Sequence, residues 1–235
     1  MKTLSIKILT LLLLISGALL AQDFEGSIKY AMKVTLPEKQ RKEMEQMGYS
    51  TMMPNGFEIT TKNTVSRMKM FNGKGVMMEI VSIDDKKESY MLDHKEKKAY
   101  KMPAESTEEQ GSKPKVTKTS ESATIAGHKC TKYVIEYPNQ KTVQHIWAAN
   151  DIKIPASAFK NSLGGSRGGS LFMEGVDGVP LKMTVTDQGT TSEMTAIEVV
   201  KTKLNTTDLQ VPSGYAIEPF SAAAMSRMMM GGMGN

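Results

Sequence analysis

The chain has 235 residues, with 30 basic and 25 acidic side chains, a formal charge of +5 and a single cysteine. This length suits one ordinary domain or two small ones, with a core large enough to need no covalent staples. A single cysteine excludes a disulfide framework within the chain. Basic residues are interspersed with acids, so the sequence lacks the one-sided basic surface typical of nucleic-acid binding, and we expect no nucleic-acid partner.

The first 21 residues have the layout of a secretory signal peptide. Lys2 and Lys7 give a positive start, an apolar run extends from Ile8 to Ile15, and Ala21 is a small residue at the expected cleavage point. The apolar stretch is shorter than the ~20 residues of a membrane span, and no second one follows. We therefore predict an exported protein, periplasmic or secreted from a Gram-negative-type cell, with no transmembrane span after cleavage.

Alternation of apolar and polar residues dominates the chain after the signal. From Phe24 to Val34 it follows the period of two that is typical of a half-buried antiparallel strand. Pro37 then begins a short helical pattern that ends at Gly48. Further strands are predicted at Gly56–Thr61, Thr64–Phe71, Gly75–Ile83, Ser89–Asp93, Lys98–Met102, Thr117–Ala123, Lys129–Tyr137, Thr142–Ala148, Val179–Thr186 and Ser192–Leu204.

The segments between and after these strands are of several kinds. Residues 103–114 are polar and predict a mobile loop. Pro155–Asn161 reads as a short helix, with a flexible glycine-rich loop after it at Leu163–Ser170. Leu209–Tyr215 is predicted as a last extended segment that ends in a turn. The predicted organisation is a signal peptide over 1–21, a single β domain over 22–220 and a flexible methionine-rich tail over 221–235.

Turn signals that recur every ~8–12 residues indicate a mainly β fold with a minor helical part. The early helix between strands and the long later strands favour one sheet over a two-layer sandwich. We predict a strongly curved antiparallel sheet, or incomplete β-barrel, with one or two helices plugging its open side.

Methionine is the compositional outlier, with 20 residues in the chain. These soft and flexible side chains could fill a tolerant core or line a cavity for varied apolar ligands, and periodicity does not separate the two. The candidate cavity residues are those predicted to share the inner side of the sheet, namely Met32, Met70, Met78, Tyr133, Ile135, Leu181 and Met183.

Catalytic motifs are missing from the sequence: it has no nucleophile elbow, zinc-protease helix or phosphate-binding loop. His128 and Cys130 share a strand face but are too few for a zinc site. Thioethers are soft ligands, so methionines of the tail, Met225 to Met233, could bind Cu(I), although the tail has no histidine. We predict a protein that is not an enzyme and needs no metal or cofactor.

Five stretches together resemble an exported family of unknown function found largely in Bacteroidetes. The resemblance covers residues 24 to 217, and its more specific parts are Ala-Gly-His-Lys-Cys and Pro-Leu-Lys-Met. The stretches are Phe24–Tyr30, Ile125–Tyr133, Ile146–Ile152, Gly178–Met183 and Val211–Tyr215.

That family is distantly similar to the LolA/LolB lipoprotein-carrier superfamily. The resemblance implies an incomplete antiparallel β-barrel with helices over an apolar cavity, and it implies binding of a lipid or acyl chain in the periplasm. It carries over no catalytic residue. The alternative is an envelope structural or protein-interaction module, with a packed core, no ligand and an envelope protein as partner.

Overall fold

The computed structural model describes residues 24–48, 53–103, 114–138, 142–154, 174–187 and 189–231. In this part of the chain the strands form a single twelve-stranded sheet. The strands are β1 (Gly26–Thr35), β2 (Gly56–Lys62), β3 (Val65–Asn72), β4 (Gly75–Ile83), β5 (Glu88–Asp93), β6 (Lys98–Lys101), β7 (Lys115–Ile125), β8 (His128–Glu136), β9 (Val143–Ala149), β10 (Val179–Asp187), β11 (Thr190–Lys201) and β12 (Ala216–Pro219). Two α-helices accompany them in this part of the chain, α1 (Glu38–Gln46) and α2 (Ala222–Gly231).

Two antiparallel meanders share this sheet and meet where β1 pairs with β11. The strand order is β12-β6-β5-β4-β3-β2-β1-β11-β10-β9-β8-β7, and β12 is parallel to β6. The sheet is curved and stays open between the edge strands β12 and β7. The predicted fold class, a mainly β curved sheet with few helices, is confirmed.

Local sequence explains several of the connections. β7 and β8 are joined by Ala126 and Gly127, which both have positive φ, as a two-residue hairpin turn of type I′ requires. α1 follows Pro37, whose fixed φ and missing N–H are compatible with a helix start. The helix predicted after Pro37 is therefore confirmed.

The C-terminal region differs from the sequence prediction. Where an extended segment was expected at Leu209–Tyr215, a 3₁₀ turn covers Thr206–Leu209, and the last strand begins only at Ala216. The asparagine at position 205 caps this turn with its side chain. Where a flexible tail was expected, α2 is helical and begins after Ser221, whose Oγ accepts a hydrogen bond from the Ala224 N–H at 3.1 Å.

The two helices have different relations to the sheet. α1 buries none of its side chains, so it does not fill the open side of the sheet as predicted. α2 buries Ala224 against Met91 and Tyr100. Neither described helix is long and apolar enough to cross a membrane. The predicted signal peptide, the residues 104–113 of the predicted loop, the helix at Pro155–Asn161 and the loop at Leu163–Ser170 lie outside the described residues.

Candidate functional site

The strand register brings candidate residues from distant parts of the sequence onto one face of the sheet. Residues directly opposite each other on paired strands project to the same side. One such row crosses β8, β9, β10, β11 and β1. It consists of Tyr133, Ile146, Met183, Met194 and Met32.

A second row continues on the same face across β1, β2, β3 and β4. It consists of Tyr30, Phe57, Met70 and Met78. Tyr30 lies two residues before Met32 on β1, so the two rows share a side. We call this side the methionine face, because it carries Met32, Met68, Met70, Met78, Met91, Met183 and Met194.

The remaining two of the seven candidates, Ile135 and Leu181, are placed by packing. Ile135, two residues after Tyr133, is fully buried in a cluster with Tyr133, Ile146 and Ala148. Leu181 is fully buried in the main core, beside an irregularity of the β9–β10 register. Met183 packs against both clusters, so the structure joins the candidates into one apolar surface.

Burial decreases across this surface. A row in register from β1 to β6, which we call the deep row, is 0 to 3% exposed and consists of Ile28, Ile59, Met68, Ile80, Met91 and Tyr100. The candidates Met32, Met70, Met78 and Met183, which we call the rim, are only half-buried and pack against the main core. The rim is therefore a part of the face whose side chains keep some exposure to solvent.

The floor beneath the rim is rigid and uncharged. The ring of Tyr30 stacks on Phe57, with 4.6 Å between centroids and 17° between planes. Its hydroxyl donates to the Pro180 carbonyl at 3.1 Å, and burial raises the pKa of Tyr30 above its usual value. A neutral phenol of this kind offers no acid or base for catalysis near physiological pH. This surface can therefore bind an apolar group by removing it from water.

Sequence reasoning missed part of this surface. Met68, Met91 and Met194 lie on it, and the alternation that identified Met70 also marks Met68 two residues earlier. The helix α2 was missed as well, although Ser221 followed by three alanines is a recognisable helix start. Met225 and Met228 of α2 pack into the cluster of Met91 and Tyr100.

A buried carboxylate lies on the opposite face of the sheet. Glu79 of β4 has a side chain only 5% exposed and contacts Arg67 Nε through one oxygen. Its other oxygen is 2.7 Å from His94 Nε2, and His94 Nδ1 is 2.6 Å from the Tyr215 hydroxyl. Burial alone would raise the pKa of Glu79, but the hydrogen bonds from His94 and Arg67 outweigh it and lower this pKa.

His128 and Cys130 gain no further ligands for a metal site among the described residues. Burial raises the pKa of the Cys130 thiol to about 11, while His128 Nδ1 lies 2.7 Å from Asp151 Oδ2. Among the described residues no three His, Cys, Asp or Glu side chains form a group that could hold a metal ion. A shallow apolar groove of about 510 Å³ lies at the β6–β12 edge, lined by Lys101, Met102, Pro103, Ile217, Glu218 and Pro219.

Comparison with known proteins gives a family and several distant structural likenesses, including those to PNGF-II and to the MucA/MucB complex. The family described as a domain of unknown function, DUF4412, matches residues 24–215. No curated protein matches the chain. The structure of PNGF-II is 18% identical with a TM-score of 0.47, over 88% of this chain and 32% of that one. The MucA/MucB complex of Pseudomonas aeruginosa is 9% identical with a TM-score of 0.46, over 83% and 57%. The chain thus spans about a third of the length of PNGF-II.

Proposed function

Since the chain belongs to the DUF4412 family, whose function is unknown, we propose from its own geometry that it binds a lipid or other apolar ligand on the methionine face. The proposal includes that the protein acts outside the cytoplasm and is not an enzyme. The observation that carries it is the rim, where Met32, Met70, Met78 and Met183 remain half-buried beside a fully buried floor.

The chemistry of methionine supports this proposal. Its unbranched, polarisable side chain adapts to ligands of varied shape, whereas a rim of branched residues would fit fewer of them. Each methylene of an acyl chain removed from water contributes ~0.8 kcal/mol, so eight buried methylenes contribute ~6 kcal/mol before the cost of immobilisation. The resemblance to the LolA/LolB carriers agrees with such a ligand and stays a prediction, as does a Bacteroidetes origin.

A second candidate function is a protein-interaction module of the cell envelope. It is favoured by the complete burial of the deep row, which resembles an ordinary packed core, and by the apolar groove beside Ile217, whose side chain is 60% exposed. In this case the partner would contact the sheet edge, and the rim would carry no ligand.

Acyl-probe binding distinguishes the two functions. Protein expressed with its native leader is purified and extracted, lipids are identified by mass spectrometry, and binding of a fluorescent fatty acid is titrated. The double variant Met70→Gln, Met183→Gln keeps side-chain length but makes the rim polar, and we expect at least tenfold weaker binding. Met47→Gln is the matched control, because Met47 is 59% exposed beside α1, and we expect unchanged binding.

Two results would overturn the proposal. One is the failure of the wild-type protein both to carry lipid and to take up the probe. The other is equal binding by the rim variant and the control, which would place the probe elsewhere on the protein.

A further inference from the structure

The C-terminal segment after β11 passes from one face of the sheet to the other. It first crosses the face opposite the methionine face, then adds β12 to the edge strand β6, and finally places α2 on Met91 and Tyr100 of the methionine face. We call residues 204–231 the clasp. Its part from 216 onwards lies beyond the residues that match the family.

The clasp is anchored on the opposite face by two cations and an apolar cluster. Lys62 Nζ donates to the Leu204 carbonyl at 2.6 Å, and Arg67 Nη1 donates to the Asp208 carbonyl at 2.5 Å. Leu209 is buried. Val211 and Tyr215 pack on a cluster of the sheet formed by Val81, Tyr90, Leu92 and Ala99.

The Glu79 network adds a polar anchor to the same segment. Arg67 links Glu79 to the clasp through the Asp208 carbonyl, and His94 links it through the Tyr215 hydroxyl. One buried carboxylate thus holds two points of the clasp, and Tyr215 immediately precedes β12. An uncompensated change at Glu79 would remove the carboxylate that both Arg67 Nε and His94 Nε2 contact.

The end on the methionine face is held by β12 and by apolar contacts around α2. β12 has four residues, including Pro219, which cannot donate a backbone hydrogen bond. Among the side chains of α2 that the structure describes, Ala224 is fully buried and Met225 and Met228 are partly buried, and Phe220 before the helix packs on the same cluster. An alanine buries little apolar area, so docking of this helix also depends on how the preceding segment is placed.

The contacts of α2 reach the rim. Met78 packs both against the main core and against the cluster of Met91, Tyr100 and Ala224. A ligand that extends along the methionine face past Met78 therefore meets the surface that α2 covers.

We propose that α2 is a displaceable cover of the methionine face, held in place from the other side of the sheet by the Glu79 network. This inference rests on the proposed function for the identity of what is covered. Loosening the clasp at Glu79 frees α2, although Glu79 has no contact with it in the described structure. Freeing α2 exposes more of the face to an apolar ligand.

Hydrogen exchange and probe binding on the full mature chain test this device. Glu79→Gln removes the charge of the anchor, Tyr215→Phe removes only its contact with His94, and Ala224→Asp undocks α2 directly. Glu58→Gln is the matched control on the opposite face, since Glu58 pairs in register with Lys69 and lies outside the network. We expect at least fivefold faster exchange over residues 222–231 in the first and third variants, a smaller increase in Tyr215→Phe, and unchanged exchange in β8 and β9.

The two readouts separate the possible failures. If α2 is a cover, Ala224→Asp and Glu79→Gln bind the acyl probe several-fold more tightly than wild type, and Glu58→Gln does not. Faster exchange with unchanged affinity would overturn the role of α2 as a cover. Equal exchange over 222–231 in Glu79→Gln and Glu58→Gln would overturn the anchoring role of Glu79. Absence of both co-purified lipid and probe binding in the wild type would instead refute the proposed function, while exchange still decides the coupling.

Discussion

The deep row and the rim of the methionine face both contain methionine, but the methionines of the two differ in burial. Met68 and Met70 lie two residues apart on β3 and face the same side, yet Met68 is fully buried and Met70 is half-buried. Fully buried methionines such as Met68 fill the core. Packing alone does not explain why the half-buried positions of the rim are also occupied by this one flexible residue type. The comparison sets fully buried methionines of the core against the half-buried ones that we propose bind the ligand, at matched positions.

The largest expected effect concerns stability at these two positions. Met68→Ala leaves a cavity in a fully packed site and should cost ~2–5 kcal/mol in the free energy of unfolding. Met70→Ala should cost no more than about 1 kcal/mol, because part of its side chain already contacts water. Urea denaturation of both variants measures the difference. Equal losses would mean that the rim is core and would remove the distinction between the two.

The next effect is the pH dependence that Glu79, on the opposite face of the sheet, gives to the free energy of unfolding. Its pKa is lowered from 4.5 in the folded protein, so its stabilisation is complete above the unfolded value and is lost as the pH falls through the lower folded value. Glu79→Gln should cost ~1.5–3 kcal/mol at pH 7, since charge-assisted hydrogen bonds are lost. The gap between the urea midpoints of wild type and variant should be constant above the unfolded value of 4.5 and should narrow as the pH falls below it. A gap that does not narrow below that value would contradict this assignment.

A smaller effect is expected at the start of α2. Ser221→Ala removes the hydroxyl that accepts from the Ala224 N–H, and loss of such a cap costs ~0.5–2 kcal/mol of helix stability. Hydrogen exchange over residues 222–231 should accelerate, with the strands unaffected. Ser221→Asn restores a capping side chain and should return exchange to the wild-type rate. Failure of this rescue would show that the cap does not hold the helix.

The methionine face could be predicted from alternation, because successive residues of a strand point to opposite faces of the sheet. Met32, Met70 and Met183 were identified in this way, and antiparallel register then placed them on the same side of the sheet. Burial along the face could not be predicted, since Met68 and Met70 follow the same alternation on β3 and differ only in how far the folded chain covers them. Glu79 reads as a solvated strand residue, because its partners His94 and Tyr215 are distant in sequence.

The smallest effect is expected on α1, which contrasts with α2 in its lack of buried contacts. Its ion pairs, Arg41–Glu45 at 2.6 Å and Lys42–Glu38 at 2.8 Å, join exposed side chains. Exposed pairs at this spacing contribute only ~0.3–0.5 kcal/mol each. Replacing both Arg41 and Lys42 by alanine should therefore lower the free energy of unfolding by less than about 1 kcal/mol and leave probe binding unchanged. A clear loss of binding in this variant would mean that α1, and not only α2, reaches the ligand on the methionine face.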